Sequence, residues 1–151
     1  MPSGPAISSF SIYTMRHSNK LDEVYRSGGE GHFTENSRWV TGERLFLEAQ
    51  KNGVQMPVIF SAAEKDSGLI YFGMLTKIEL NDGQSDKPQT TYWFTGLTRL
   101  DDFRPLSSLT LLSTRKPLSD KFIRPYAICY TPAFLVGQDE ADVFAVKSDA
   151  G

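Results

Sequence analysis

Cysteine is almost missing from this chain. Cys129 stands alone in 151 residues, so no intrachain disulfide can form, which excludes a disulfide-stapled scaffold and fits a reducing compartment. Histidine is nearly as scarce. His17, His32 and Cys129 are widely spaced and make no paired metal-ligand motif. No stretch approaches the ~18 consecutive apolar residues of a membrane helix. The longest apolar runs, such as Leu69 to Phe72, have strand length. The start, Met1 to Ala6, has no basic region followed by an apolar run, so no secretory signal is expected. There is no Gly-x-Ser-x-Gly, no phosphate loop and no dinucleotide fingerprint. Neither sign of charge dominates: 16 basic against 18 acidic residues leave a net charge of −2. That disfavours a globally basic nucleic-acid binder and leaves room for a local basic patch. These absences together predict a soluble cytoplasmic protein with no cofactor, no metal and no membrane partner.

What is present has the balance of a globular domain, 40% hydrophobic and 23% charged. Residues 1–8 read as a flexible lead-in, 9–136 as one domain and 137–151 as an acidic tail with four acids and one lysine. Residues Phe10 to Met15 alternate with period two and predict a strand. Asn19 is placed to cap a short helix, with Asp22 as its capping-box partner and Ser27-Gly28-Gly29 as its end. The polar run 30–38 reads as a loop. Gly42-Glu43 reads as a turn into a strand over Arg44 to Ala49. Further strands are expected over Met56 to Ala62, Leu69 to Leu80, Thr90 to Thr95 and Tyr126 to Thr131. Gly73 suggests a bulge or a close backbone approach. After Gly96 the pattern changes, and Pro105 opens a helix carrying Leu106, Leu109 and Leu112. Ser119 and Asp120 can cap one more turn holding Phe122 and Ile123. Phe46, Ile59, Phe72 and Leu75 are expected core. The sum is a mainly β (α+β) fold: a small closed or nearly closed barrel with short helices at its ends.

The order of elements from Trp39 to Leu80 resembles the PUA-like superfamily of small barrels, which includes the EVE, YTH and ASCH groups. The residues carrying the resemblance are Gly42-Glu43-Arg44-Leu45-Phe46-Leu47 and the strand Tyr71-Phe72-Gly73-Met74-Leu75-Thr76-Lys77-Ile78-Glu79-Leu80. It covers residues 10–80, with Thr90 to Thr95 as the next strand. The Gly-x-Lys-x-x-Glu-x-Arg signature of ASCH proteins is absent, and 101–136 has no counterpart, so no subgroup is assigned.

The resemblance implies a cavity at the barrel end, where a flipped base stacks on an aromatic ring and hydrogen-bonds to polar groups. The matching positions are Arg16, His17, Ser18 and Asn19 after the first strand, Arg38 and Trp39 before the second, and Glu48. Asn19 suits a base edge because an amide both donates and accepts. Trp93, alternating outward on its strand, adds a stacking face. The function these residues imply is a non-enzymatic module that takes a modified or unpaired base of RNA or DNA into a pocket. Two alternatives stay open: a small ASCH-like amide or nucleoside hydrolase using Lys20 with Glu23 or Glu48, and a protein-interaction accessory domain. The stretch 101–125, with five basic and three acidic residues, is a candidate for tracking phosphates.

Overall fold

The computed structural model describes residues 6–63, 68–81, 88–119 and 126–135. Six strands and two helices follow one another along them: β1 (Phe10–Arg16), α1 (Ser18–Arg26), β2 (Gly31–Glu35), α2 (Val40–Lys51), β3 (Pro57–Ala62), β4 (Leu69–Asn81), β5 (Gln89–Arg104) and β6 (Tyr126–Tyr130). Short 3-10 turns follow β5 at Leu106–Ser108 and β6 at Ala133–Leu135. One mixed sheet contains every strand, in the order β2-β5-β4-β3-β1-β6. Only β1 and β3 pair in parallel.

The sheet is strongly curled. β2 and β3 are separated by two strands, so in a flat sheet they would lie about 14 Å apart. Yet the rings of Phe33 on β2 and Phe60 on β3 are 6.1 Å apart. Register shifts along the β4–β5 pair, at Leu69/Tyr71, Phe72/Met74 and Leu75/Lys77, supply the bending. At the middle shift sits Gly73, where a Cβ would lie 3.2 Å from the Thr95 carbonyl oxygen. The expected close approach at Gly73 is therefore present. The expected closed barrel is not. β2 and β6 remain unpaired edges, each five residues long, and side chains fill the gap between them.

Two apolar clusters form the core. Inside the curl lie Ile12, Trp39, Phe46, Val58, Phe60, Tyr92 and Phe94 with their neighbours. On the other face of β1 and β3, Tyr13, Ile59 and Cys129 pack against Leu106, Leu109, Leu118 and Leu135. Burial on both faces explains why β3 reads as continuously apolar. Phe46, Ile59 and Leu75 are buried as expected, whereas Phe72 is only partly buried and packs at the border of the second cluster.

Several expectations need correction. The segment Arg44 to Ala49 is helix, not strand, because Trp39, Gly42, Phe46 and Ala49 recur at helical spacing and all face the core. Gly42 lets α2 approach β1: a Cβ there would sit 3.0 Å from Ile12 Cδ1. The polar run 30–38 contains the edge strand β2, whose burial alternates residue by residue. Gly96, with φ of 65°, does not end its strand; β5 runs on to Arg104. Of Leu106, Leu109 and Leu112 only Leu106 lies in a 3-10 turn, with Leu109 at its C-cap, since Thr110 and Leu111 bridge to Pro117 and Cys129. Asn19 lies inside α1, and His17 holds the N-cap position. Asp22, expected to complete a capping box, instead accepts a hydrogen bond from the Tyr71 hydroxyl at 2.5 Å, which ties α1 to β4. The turn expected after Ser119, at 120–125, and the acidic tail lie outside the described residues.

Candidate functional site

At the start of α2 the chain drives one indole into the gap between the sheet edges. Trp39 is the N-cap residue, with its backbone N–H donating to Thr90 Oγ1 at 3.0 Å and its ring Nε1–H donating to Ser37 Oγ at 3.2 Å. Thr90 Oγ1 in turn donates to the Ser37 carbonyl at 2.7 Å. The indole is 0% exposed. Tyr92 of β5 stacks on it at 4.5 Å and 19°, and Tyr126 of β6 at 4.7 Å and 15°. The two tyrosine rings do not touch each other, which puts them on opposite faces of the indole. Three near-parallel rings thus run from β5 to β6 across the opening.

The inner end of that stack meets partly buried charge. The Tyr92 hydroxyl donates to Glu35 Oε2 at 3.3 Å. Arg16 Nη2 lies 2.8 Å from the same carboxylate oxygen and donates to the Thr34 carbonyl at 2.6 Å. Its guanidinium sits 4.5 Å above the Phe33 ring. Arg16 Nε is buried and has no hydrogen-bond partner among the described residues. Burial raises the Glu35 pKa above the usual carboxylate range despite the opposing pull of Arg16. Burial likewise raises the Tyr92 pKa, with the Glu35 charge adding to it.

The outer end of the stack meets space. Tyr126 forms part of the wall of a cavity of about 580 Å³, together with Thr41, Leu112, Ser113, Thr114 and Ile128. That volume lies in the range of small-molecule sites, about 300–1,000 Å³. No described lining residue is charged. Hydrogen bonds fix the far wall: Leu112 N–H donates to the Ile128 carbonyl at 3.0 Å, and Tyr130 N–H to the Thr110 carbonyl at 2.9 Å. Burial raises the Tyr126 pKa, partly offset by a hydrogen bond from the Gly42 backbone, so the phenol is neutral near pH 7.

The structure gathers few of the residues expected from sequence. Arg16 and Trp39 both adjoin Tyr92, but Trp39 has no free face to offer a ligand. His17 and Asn19 are exposed at the start of α1, Ser18 is half-buried between them, and Arg38 is exposed before α2. Glu48 borders a different cavity, of about 260 Å³, beside Phe10 and Asn52. Trp93 lies on the outer side of β5 opposite His32 and Lys77, with its ring 5.8 Å from His32 and 4.9 Å from Lys77 Nζ. Asn19 and Trp39 do not share a cavity among the described residues. Lys20, Glu23 and Glu48 are all exposed, so they form no buried Lys–Glu pair. Sequence reasoning missed Thr41, Tyr92 as a stacking partner, Tyr126, Glu35 and the wall at 112–114.

No protein-family model and no curated protein matches the chain. Among solved structures it is similar to the YTH domain of the Zygosaccharomyces rouxii MRB1 protein, solved in complex with N6-methyladenosine RNA. The TM-score is 0.44 and the identity 11%, over 95% of this chain and 93% of that one. A likeness of that degree assigns no family, and the site's chemistry stands on its own side chains.

Proposed function

We propose that this protein is a non-enzymatic nucleic-acid-binding module that takes a modified or unpaired base into the cavity beside Tyr126. One observation carries the reading: a cavity of about 580 Å³, with no charged residue in its described lining, is walled by the outer member of a three-ring stack. A base laid on Tyr126 extends that stack by a fourth ring, and stacking on an aromatic side chain contributes about 1–3 kcal/mol per base. The hydroxyls of Thr41, Ser113 and Thr114 each donate and accept, which suits them to a base edge. Leu112 and Ile128 give an added methyl group an apolar neighbour. The hydrolase alternative has no observation in its favour, because its Lys and Glu candidates stand apart in solvent.

Binding of single-stranded RNA and DNA oligonucleotides, each carrying one modified base, tests the proposal. Tyr126→Leu keeps an apolar cover on Trp39 but removes the flat ring. It should weaken binding roughly ten- to a hundredfold through lost stacking. No binding across such a panel at low salt would remove the base-reader reading.

A further inference from the structure

We infer that Arg115 and Lys116 form a phosphate clamp at the rim of the Tyr126 cavity, and that the ligand is therefore a nucleotide strand and not a free base or nucleoside. This rests on the base-binding reading above and names the polymer that the same site takes.

The cavity and the two cations belong to one turn. Ser113 and Thr114 line the cavity, and Arg115 and Lys116 follow them directly, both exposed. The turn is held at several points. Leu111 N–H donates to the Lys116 carbonyl at 2.9 Å, and Arg115 N–H to the Leu111 carbonyl at 2.8 Å. Lys116 N–H donates to Thr114 Oγ1 at 3.2 Å. Leu112 anchors the turn to β6 through Ile128. These bonds hold the backbone of both cations directly beside the residues that line the cavity.

Among the described residues both cations are uncommitted. Arg16 is paired with Glu35, Lys77 with Glu79, and Arg104 sits over the Phe134 ring. Neither Arg115 nor Lys116 has an ion pair with a described residue. Arg115 also has φ of 60°, and among the described residues no other non-glycine residue has positive φ. A left-handed backbone is disfavoured by about 1–2 kcal/mol for a residue with a Cβ, and glycine would adopt it without strain. The chain holds an arginine where backbone economy favours glycine, which points to a use for the guanidinium.

Charge then divides the ligand. The cavity has no charged residue in its described wall and suits a neutral base. The rim has two cations without an ion pair among the described residues and suits the phosphates on either side of that base. Arginine and lysine both bind phosphate, the first as a fork and the second as a point charge. A free base or nucleoside would leave the rim unused.

The test compares strand with nucleoside. Fluorescent single-stranded RNA and DNA oligonucleotides carrying one methylated base, and the matching methylated nucleosides, are titrated against the full chain over a range of salt. The double variant Arg115→Gly/Lys116→Gln removes both charges and relaxes the backbone, so its melting temperature should not fall; Arg115→Lys keeps the charge as a control. For a single strand each phosphate contact contributes about 0.7 to the slope of log K against log salt. The double variant should therefore flatten that slope by about 1.4 and weaken strand binding roughly tenfold at low salt. Its nucleoside binding should stay unchanged, and Arg115→Lys should keep most of the slope. An unchanged slope, or wild-type protein that binds strand no more tightly than nucleoside, overturns the clamp while leaving the cavity as a base site. Wild-type protein that binds neither probe overturns both readings. Whether the RNA or the DNA arm is tighter identifies the sugar.

Discussion

The two edges of the sheet face one another across the same gap, and the protein fills that gap in two different ways. On the β2 side it uses charge: Arg16 reaches over to Glu35 and the Thr34 carbonyl, and the Tyr92 hydroxyl joins them. On the β6 side it uses flat rings, with Trp39 against Tyr126, and beyond them a cavity whose described lining carries no charge. Charge demands nearly full satisfaction when buried, so the β2 side is tightly bonded and still leaves one arginine nitrogen without a partner. Aromatic stacking makes no such demand, so the β6 side can end in open space at little cost. The proposed base site therefore lies at the less polar edge.

The largest expected effect comes from removing the wedge that both sides share. Trp39→Ala deletes a fully buried indole between two rings and should cost about 3–5 kcal/mol of stability. Chemical denaturation measures it; a loss below about 1 kcal/mol would mean the gap closes without the indole. A smaller effect is expected from Gly42→Ala, where the new Cβ meets Ile12 Cδ1 at 3.0 Å. Overpacking of this kind costs about 1–3 kcal/mol. It should move α2 and Thr41 outward, so ligand binding should fall along with the melting temperature. If the melting temperature rises instead, the gain in helix propensity outweighs the clash.

The smallest effect separates the two edges by pH. Glu35 has a raised pKa in the folded protein, so the folded state holds its proton more tightly than the unfolded state does. The associated stability is fully present below the unfolded value, about 4.3. It is lost as pH rises through the higher folded value. Glu35→Gln should remove that slope, so its stability relative to wild type should improve between acid and neutral pH. The same titration should leave the uncharged β6 side and its ligand affinity unaltered. A variant that loses ground as pH rises would show that Arg16 more than compensates the buried carboxylate.

How much of this was legible in the sequence depended on range. β1, β3, β4 and β6 were readable because their apolar residues alternate or run together within a few positions. α2 was misread because Gly42-Glu43 looks like a turn, although Trp39, Gly42, Phe46 and Ala49 already mark a helical face. β2 hid behind its polar residues: at a sheet edge, outward His32 and Thr34 cost nothing, and inward Glu35 is tolerated only because Arg16 reaches it. Among candidate site residues, Trp39 stood out by type, but its two covering rings come from positions 92 and 126. The wall at 112–114 exists only because that segment bonds to β6. Local pattern cannot show such long-range partners.

One of those long-range pairings sets a timetable for the newborn chain. β1 pairs with β3 on one side and β6 on the other, and Thr14 lies opposite Tyr126. About 110 residues separate that pair, which at 5–20 residues per second is roughly 6–20 s of synthesis. Throughout that time the outer edge of a strand apolar on both faces has no partner. Such an edge is a template for pairing with other chains. The interval before β6 emerges is thus the period in which this protein is most open to aggregation, and slowing translation ahead of Tyr126 lengthens it.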